Sequence, residues 1–357
     1  MTTGEHQPKV RVEALTSFCI RAMRAAGLPE EHARTSAEVL VTTDTWGTYT
    51  HGTKQLRGLL KNFRDGTMDL HGETELIAEG PSWARFDGHR AMPMVTSTLA
   101  MRTAMDKARA TGTAVVGACN SGHFGAAGYY ANLAALGSMI GLSMCNVDPG
   151  VAAPGSRVPV LGTNPLSYAA PAGDGTTVFL DIATSVVAAG KVYAAQAAGT
   201  GIPEGWLIDK DGLPTTDPRG YPQAGALLPM AGHKGYGIAL MIEILTGVLN
   251  GGAFGREVVS WVKDGKPVNQ SFSFVVIDIA AFMPVDRFIG RMKDLAREIH
   301  DAPKARGAER IYLPGEKEWE NRAHALREGL PLPPDVVANL EGVARDYSLD
   351  PSQLYAS

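Results

Sequence analysis

The sequence predicts an α/β fold without a Rossmann crossover, and three observations carry that reading. Short apolar runs of strand composition, TAVVG at 113–117, Ile140 to Met144, Thr176 to Ile182 and Ser271 to Ile279, alternate irregularly with stretches of helical periodicity. No G-x-G-x-x-G lies between a strand and a helix, so a Rossmann unit is not supported. With 357 residues, 45% of them hydrophobic, the chain can fill two domains or one large body.

Composition excludes several classes of function. The net charge is −4 with acids and bases scattered, leaving neither a nucleic-acid footprint nor a polybasic membrane patch. Small molecules are the expected partners. Cys19, Cys119 and Cys145 form no CxxC and no Cys/His cluster, so neither disulfides nor a metal is expected. The stretch MTTGEHQPKVRVEAL has no apolar signal core, and no segment reaches the ~20 apolar residues of a membrane helix. A cytoplasmic protein is expected.

In chain order, Val10 to Ala26 carries apolar residues at helical spacing and stops at Gly27-Leu28-Pro29, and Glu30 to Thr45 reads as a second helix. A Gly- and Thr-rich corner around Thr50-His51-Gly52 follows, then a helix from Lys54 to Phe63. GETELIAEG at 72–80 is extended, Asp87-Gly88 reads as a turn, and Ala91 to Thr111 is helical. Ala100, Ala104 and Ala108 give that helix a small face for close packing.

The central stretch, Asn120 to Pro171, has the composition of a site. His123 sits between a strand and a proline-free helix, Ala126 to Leu136, whose first amides suit an anion. Asn146-Val147-Asp148-Pro149-Gly150 and Gly162-Thr163-Asn164-Pro165 are turn-rich loops that can share a sheet edge with His123. Farther on, Ala183-Thr184-Ser185 is expected to open a helix running to Ala198, with Thr184 and Ser185 as caps first. Gly199 to Pro218 is a turn-dense loop, and its Asp209-Lys210-Asp211-Gly212 lacks the later carboxylates of a calcium loop. Gly232-His233-Lys234-Gly235-Tyr236-Gly237 is expected to precede a helix from Ile238 to Leu249, favouring a phosphate at its start although no Walker motif is present. Glu243, inside that apolar helix, reads as a paired buried carboxylate. Asn250 to Lys266 reads as a surface excursion, Val285 to Ile299 as a helix, Ile311 to Glu316 as a strand ending in a Pro-Gly turn, and Pro331 to Tyr347 as a last amphipathic helix.

Six motifs in order, HFGAAGYYANLAALGSMIGL, LGTNPLSYAAP, LDIATSVVAAGKV, GIPEGWLIDKDGLPTTDP, GHKGYGIALMIEIL and YLPGEKEWENR, resemble the malate/L-lactate dehydrogenase family that is distinct from Rossmann-type lactate dehydrogenases. The resemblance runs from about Leu15 to the last helix. It implies a mixed-sheet cofactor and substrate body (76–315), a helical lobe (1–75), C-terminal helices packing back on that lobe (316–357), and a homodimer using NAD or NADP. Carried over by motif, it implies that His51 and His123 handle the proton and that Asp181 belongs to the catalytic and cofactor pocket. It also implies that Thr184, Ser185, His233, Lys234, Gly315 and Glu316 lie near the cofactor. Thr50, Lys54, Gln55, Asn146 and Asn164 are the candidates for substrate contact.

One departure stands out. The family has an Arg four residues after this His and a Tyr four later, where this chain has Gln55 and Leu59. Either Lys54 or Arg57 supplies the missing charge, or the substrate differs from malate and lactate. The expected activity is reversible NAD(P)-dependent reduction of a 2-oxo acid, with one His donating the proton, the other orienting substrate, and Asp181 able to fix an imidazole tautomer. The alternatives are a cyclic imine reductase, a catalytically silent metabolite-binding homologue, and, more weakly supported, a Schiff-base enzyme using Lys234.

Overall fold

Alternation along the strands sets the layers. In Gln270–Asp278, Phe272, Phe274 and Val276 are buried on one face, while Ser273 on the other donates its hydroxyl to Leu245 O at 2.5 Å. The computed structural model describes residues 9–262 and 265–355. The start of the chain, two residues of the 250–266 excursion and the last two residues lie outside the described residues.

Seven strands form the main sheet, in the spatial order Glu75–Gly80, Trp83–Asp87, Thr113–Ser121, Gln270–Asp278, Met139–Cys145, Leu166–Gly173, Thr176–Ile182. Trp83–Asp87 and Thr113–Ser121 run parallel and every other neighbouring pair is antiparallel, so the sheet is mixed. Helices Pro93–Thr111 and Ala127–Leu136 cover one face. The other carries Val285–His300 and the π-helical turn Ile244–Val248, which continues helix His233–Glu243.

Two glycines set how closely these layers approach. A Cβ on Gly141 would fall 2.7 Å from Ala131 O, so helix Ala127–Leu136 lies directly on the strand. On the opposite face, a Cβ on Gly117 would fall 1.8 Å from Asn250 Oδ1, and Asn250 Nδ2 uses that space to reach Phe272 O at 2.9 Å. The alanine face read from sequence is core: Ala100, Ala104 and Ala108 are all fully buried.

Helices Val12–Ala25, Glu30–Thr45, Leu56–Arg64, Glu316–Glu328 and Pro334–Asp346 gather both chain ends into one lobe, and Lys9–Val10 pairs with Leu330–Pro331. A single continuous core joins this lobe to the main sheet, from Leu15 through Phe274 to Leu354. A separate core, including Val151, Val192, Leu207 and Leu227, lies under a five-stranded sheet.

Four local expectations are corrected. Thr184 and Ser185 do not open a helix, which begins only at Ala189. Their hydroxyls bond backbone carbonyls, of Thr163 at 3.0 Å and of Val187 at 2.8 Å, and this competes with coiling. The helix expected from Ile238 starts at His233, capped by Gly232 at φ 64°, so the glycines lie in and before its first turn. Residues 311–315 form no strand: their one tie to the sheet is Phe179 N–H to Pro314 O, and helix Glu316–Glu328 begins at once. The loop from Gly199 to Pro218 contributes Leu207–Asp209 and Pro214–Thr215 to the smaller sheet.

Gly117→Ala should destabilise the protein by about 1–3 kcal/mol through overpacking against Asn250. Gly290→Ala, on an exposed helix face with open space around it, should stabilise by about 0.5–1 kcal/mol. Urea unfolding of the two variants beside the parent checks both signs.

Candidate active site

Both candidate histidines are held by local turns. Strand Thr113–Ser121 ends, Gly122 turns the chain, and His123 precedes helix Ala127–Leu136. His51 arrives from the other lobe, on the short 3-10 turn Tyr49–His51 after helix Glu30–Thr45. Asp44, in the last turn of that helix, accepts from Thr53 N–H at 3.1 Å and from Thr53 Oγ1 at 2.5 Å. This works because position 52 is glycine: a Cβ there would fall 1.8 Å from Asp44 Oδ1. Sequence reasoning gave Asp44 no role, because its burial and its bonds to Thr53 exist only in the fold.

The two imidazoles lie 5.4 Å apart between centroids, tilted by 52°. Thr50 Oγ1 lies 2.9 Å from His51 Nδ1. Burial lowers the pKa of both rings, and that of His123 falls to about 3, with the nearby charge of His51 as the second cause. Near neutral pH both are therefore uncharged. His123 Nε2 is buried and has no hydrogen-bond partner. Trp261, from the excursion to which the sequence gave no role, stacks on His123 at 4.7 Å with ring planes 7° apart.

The cations offered in place of the missing Arg are engaged elsewhere. Lys54 Nζ pairs with Asp335 Oδ2 at 2.6 Å, and Arg57 forms a two-pronged pair with Asp346 at 2.9 and 3.2 Å. Gln55 Nε2 donates to Thr50 O, and Leu59 is fully buried. Of the substrate candidates on this segment, Lys54 is thus bound to the C-terminal helix and Gln55 braces the turn that carries His51.

Asp181 forms no bond with either imidazole and instead caps helix Ala127–Leu136, accepting Gly128 N–H at 2.6 Å. Its pKa is raised to about 6 by burial, against the lowering effect of that N–H, and Glu318 adds a smaller upward push. The tautomer-fixing role is therefore replaced by a helix-capping one, which places the carboxylate on the helix that His123 leads into.

Asn146 and Asn164 converge on Glu243. Asn164 Nδ2 donates to Glu243 Oε2 at 2.7 Å, Asn146 Nδ2 to Oε1 at 3.4 Å, and Gly255 N–H to Oε1 at 2.7 Å. The amide oxygens are also used, Asn146 by Ser271 N–H and Asn164 by Val147 N–H. Glu243 is a buried carboxylate as read from sequence, and its partners are amides. The two Asn side chains are committed to positioning their loops.

Thr184 Oγ1 reaches Thr163 O and Asn164 O, Met230 N–H donates to Thr184 O, and Val186 N–H to Leu228 O. These bonds join the Asn164 loop to the segment leading into helix His233–Glu243. Beside them opens a cleft of ≈ 800 Å³ lined by Gly155, Arg157, Val186, Asp211, Gly232 and His233, with Lys234 exposed next in sequence. Its size and the free amide end of a helix fit the phosphates of a dinucleotide. Gly315 lies against Phe179, where a Cβ would fall 2.5 Å from the ring. Glu316 pairs with His300 at 2.9 Å and Arg310 at 3.2 Å. Among the described residues, no group of three His, Cys, Asp or Glu could hold a metal, and no helix is long and apolar enough to cross a membrane.

Residues 10–341 match a family model described as malate/L-lactate dehydrogenase. A malate dehydrogenase of Pyrococcus horikoshii is 38% identical over 353 residues, 97% of each chain, and its solved structure aligns with a TM-score of 0.88 over 98% of both. An NAD(+) ureidoglycolate dehydrogenase of Escherichia coli is 36% identical over 92% of this chain and 93% of its own. The structure of a delta1-piperideine-2-carboxylate reductase from Pseudomonas syringae aligns with a TM-score of 0.84 at 30% identity, covering 94% and 99% of the two chains.

Burial raises the Asp44 pKa to about 7, with the two Thr53 bonds opposing the rise. Between the ordinary carboxylate range and about 7 the folded state binds more protons than the unfolded one, so this group stabilises the fold at low pH and its contribution is lost as pH rises toward 7. Asp44→Asn should remove that decline, and denaturant midpoints measured from pH 4 to 7 for both proteins would reveal it. Parallel pH dependences would refute the assignment.

Proposed function

Because this chain belongs to the malate/L-lactate dehydrogenase family, whose named relatives are hydroxy-acid dehydrogenases, we propose that it interconverts a 2-hydroxy acid and a 2-oxo acid with NAD or NADP. The observation that carries the proposal is the close His51–His123 pair, with His123 Nε2 buried and unpartnered. When bound, the nicotinamide supplies and accepts the hydride, and everything else falls to the protein. His123 Nε2 takes the proton of the substrate hydroxyl during oxidation and returns it during reduction, and His51 orients the substrate. The cleft beside helix His233–Glu243 holds the cofactor phosphates, with His233 and Lys234 at its positive end. Thr184, Ser185, Asn146 and Asn164 fix the loops around it, while Asp181, Gly315 and Glu316 are engaged with Gly128, Phe179 and His300 and are not among the residues that line it. The proposed setting is cytoplasmic.

A second reading, reduction of a cyclic imine, is kept because a delta1-piperideine-2-carboxylate reductase shares the fold and protonation of an imine needs the same histidine. Without Arg at position 55 the site lacks the bidentate carboxylate grip, a loss of about 1.5–3 kcal/mol in binding a small hydroxy acid. The intact histidine pair argues against a catalytically silent homologue.

Fluorescence titration with NADH and NADPH, followed by turnover of a panel of 2-hydroxy acids and cyclic imino acids, tests both readings. One reduced cofactor should bind well below millimolar concentration, and Lys234→Ala should weaken it. His123→Ala should lower kcat ~10²–10⁴-fold with cofactor affinity nearly unchanged. Efficient use of malate would sink the substrate argument, and failure to bind either cofactor would sink the whole reading.

A homodimer is proposed as well. Leu240, Met241, Ile244, Val248 and Leu249 form an exposed apolar stripe on the helix that flanks the cleft, a pattern associated with subunit contact. Ile244→Asp should shift sedimentation from dimer to monomer, and a parent protein that sediments as a monomer would contradict the proposal.

A further inference from the structure

Helix Leu56–Arg64 holds Trp261 at two points one turn apart on the same face. Asn62 Nδ2 donates to Trp261 O at 2.9 Å, and Gly58 leaves room for the indole, since a Cβ there would come within 3.2 Å of Cζ3. From this anchorage the indole lies flat against His123, with centroids 4.7 Å apart and planes 7° apart. His51 stands tilted 5.4 Å from the same ring. The imidazole is thus covered on one face by a rigid aromatic plane, and its Nε2 is left buried without a partner. The buried Nε2 makes no hydrogen bond that would fix the orientation of the ring, whereas the stack constrains its plane.

We propose that Trp261 is the positioning residue for His123: its indole fixes the plane of the imidazole and keeps water off its face, so that Nε2 is presented to substrate in one direction. This rests on the reading of His123 as the proton-transferring group. A flat aromatic contact suits the task because offset stacking is favourable at this separation and is lost when the ring tilts out of plane. The titratable group whose charge acts on His123 is His51, and Asp44 stands behind the turn that carries His51.

Two substitutions separate the stack from mere bulk. Trp261→Phe keeps a flat ring, while Trp261→Leu keeps apolar volume without one, so the fold is supported in both. Histidine-selective NMR titration of the unliganded protein, with His123→Gln to assign the signal, reads the ring directly and needs no substrate. In Trp261→Leu the His123 midpoint should move upward toward the ordinary imidazole value of ~6.5. In Trp261→Phe it should stay at the parent position. On whichever substrate the panel identifies, Trp261→Leu should lower kcat by roughly ten- to a hundredfold with unchanged cofactor affinity, the scale expected for a misplaced catalytic group. Trp261→Phe should remain within about twofold. A Leu variant that titrates and turns over like the parent overturns the proposal, and so does a Phe variant as impaired as Leu. If no substrate is found, the activity reading fails, and the titration alone still decides the role of Trp261.

Discussion

The site depends on one buried carboxylate. Glu243 lies in an apolar helix with no cation beside it, and an ionised group placed there without hydrogen bonds would be strongly destabilising. Asn146, Asn164 and Gly255 N–H satisfy it, each from a different loop, with the Asn164 and Gly255 bonds short at 2.7 Å and the Asn146 contact longer at 3.4 Å. The requirement works in both directions. Removing the acid would leave each amide nitrogen with only a backbone acceptor, Ala253 O for Asn146 and Ala239 O for Asn164. Two neighbouring loops and a third some ninety residues on are thereby forced into one arrangement beside the sheet. Thr184 extends it by bonding the carbonyls of Thr163 and Asn164, which aligns the entry to helix His233–Glu243.

Much of this was legible before any coordinates. The long strands and helices were readable because each has one buried face, so alternation or helical period marks it: Glu30–Thr45 and Thr176–Ile182 fall where the pattern puts them. Elements held by side chain to backbone bonds were not. Ala183-Thr184-Ser185 has the composition of a helix start, and only the presence of distant carbonyls decides that its hydroxyls bond elsewhere. The strands Leu207–Asp209 and Pro214–Thr215 are too short to show a period and exist because Gly225–Leu227 lies alongside. His51 and His123 were found as motif members, but their mutual approach, the capping role of Asp181 and the stacked Trp261 depend on contacts across 53 to 138 positions of sequence, as between Gly128 and Asp181 or Trp261 and His123.

Charge placement separates the architecture of the lobe from the chemistry of the site. Lys54 and Arg57 sit one turn from His51, yet both are partnered by acids of helix Pro334–Asp346. The chain's C-terminal helix therefore removes positive charge from the neighbourhood of the histidines while it holds helix Leu56–Arg64 in place. Leu59, fully buried on that helix, contributes to the same packing. Lys54 and Arg57 here serve the contact between the two chain ends.

The strand order has a consequence during synthesis. Gln270–Asp278 lies in the middle of the main sheet, between Thr113–Ser121 and Met139–Cys145, which emerge from the ribosome much earlier. At ~5–20 residues per second those two strands wait several seconds with bare hydrogen-bonding edges and uncovered apolar side chains. The nascent chain is therefore most vulnerable to intermolecular strand pairing in its middle third of translation. The delay adds to the demand for chaperones whatever the stability of the finished protein.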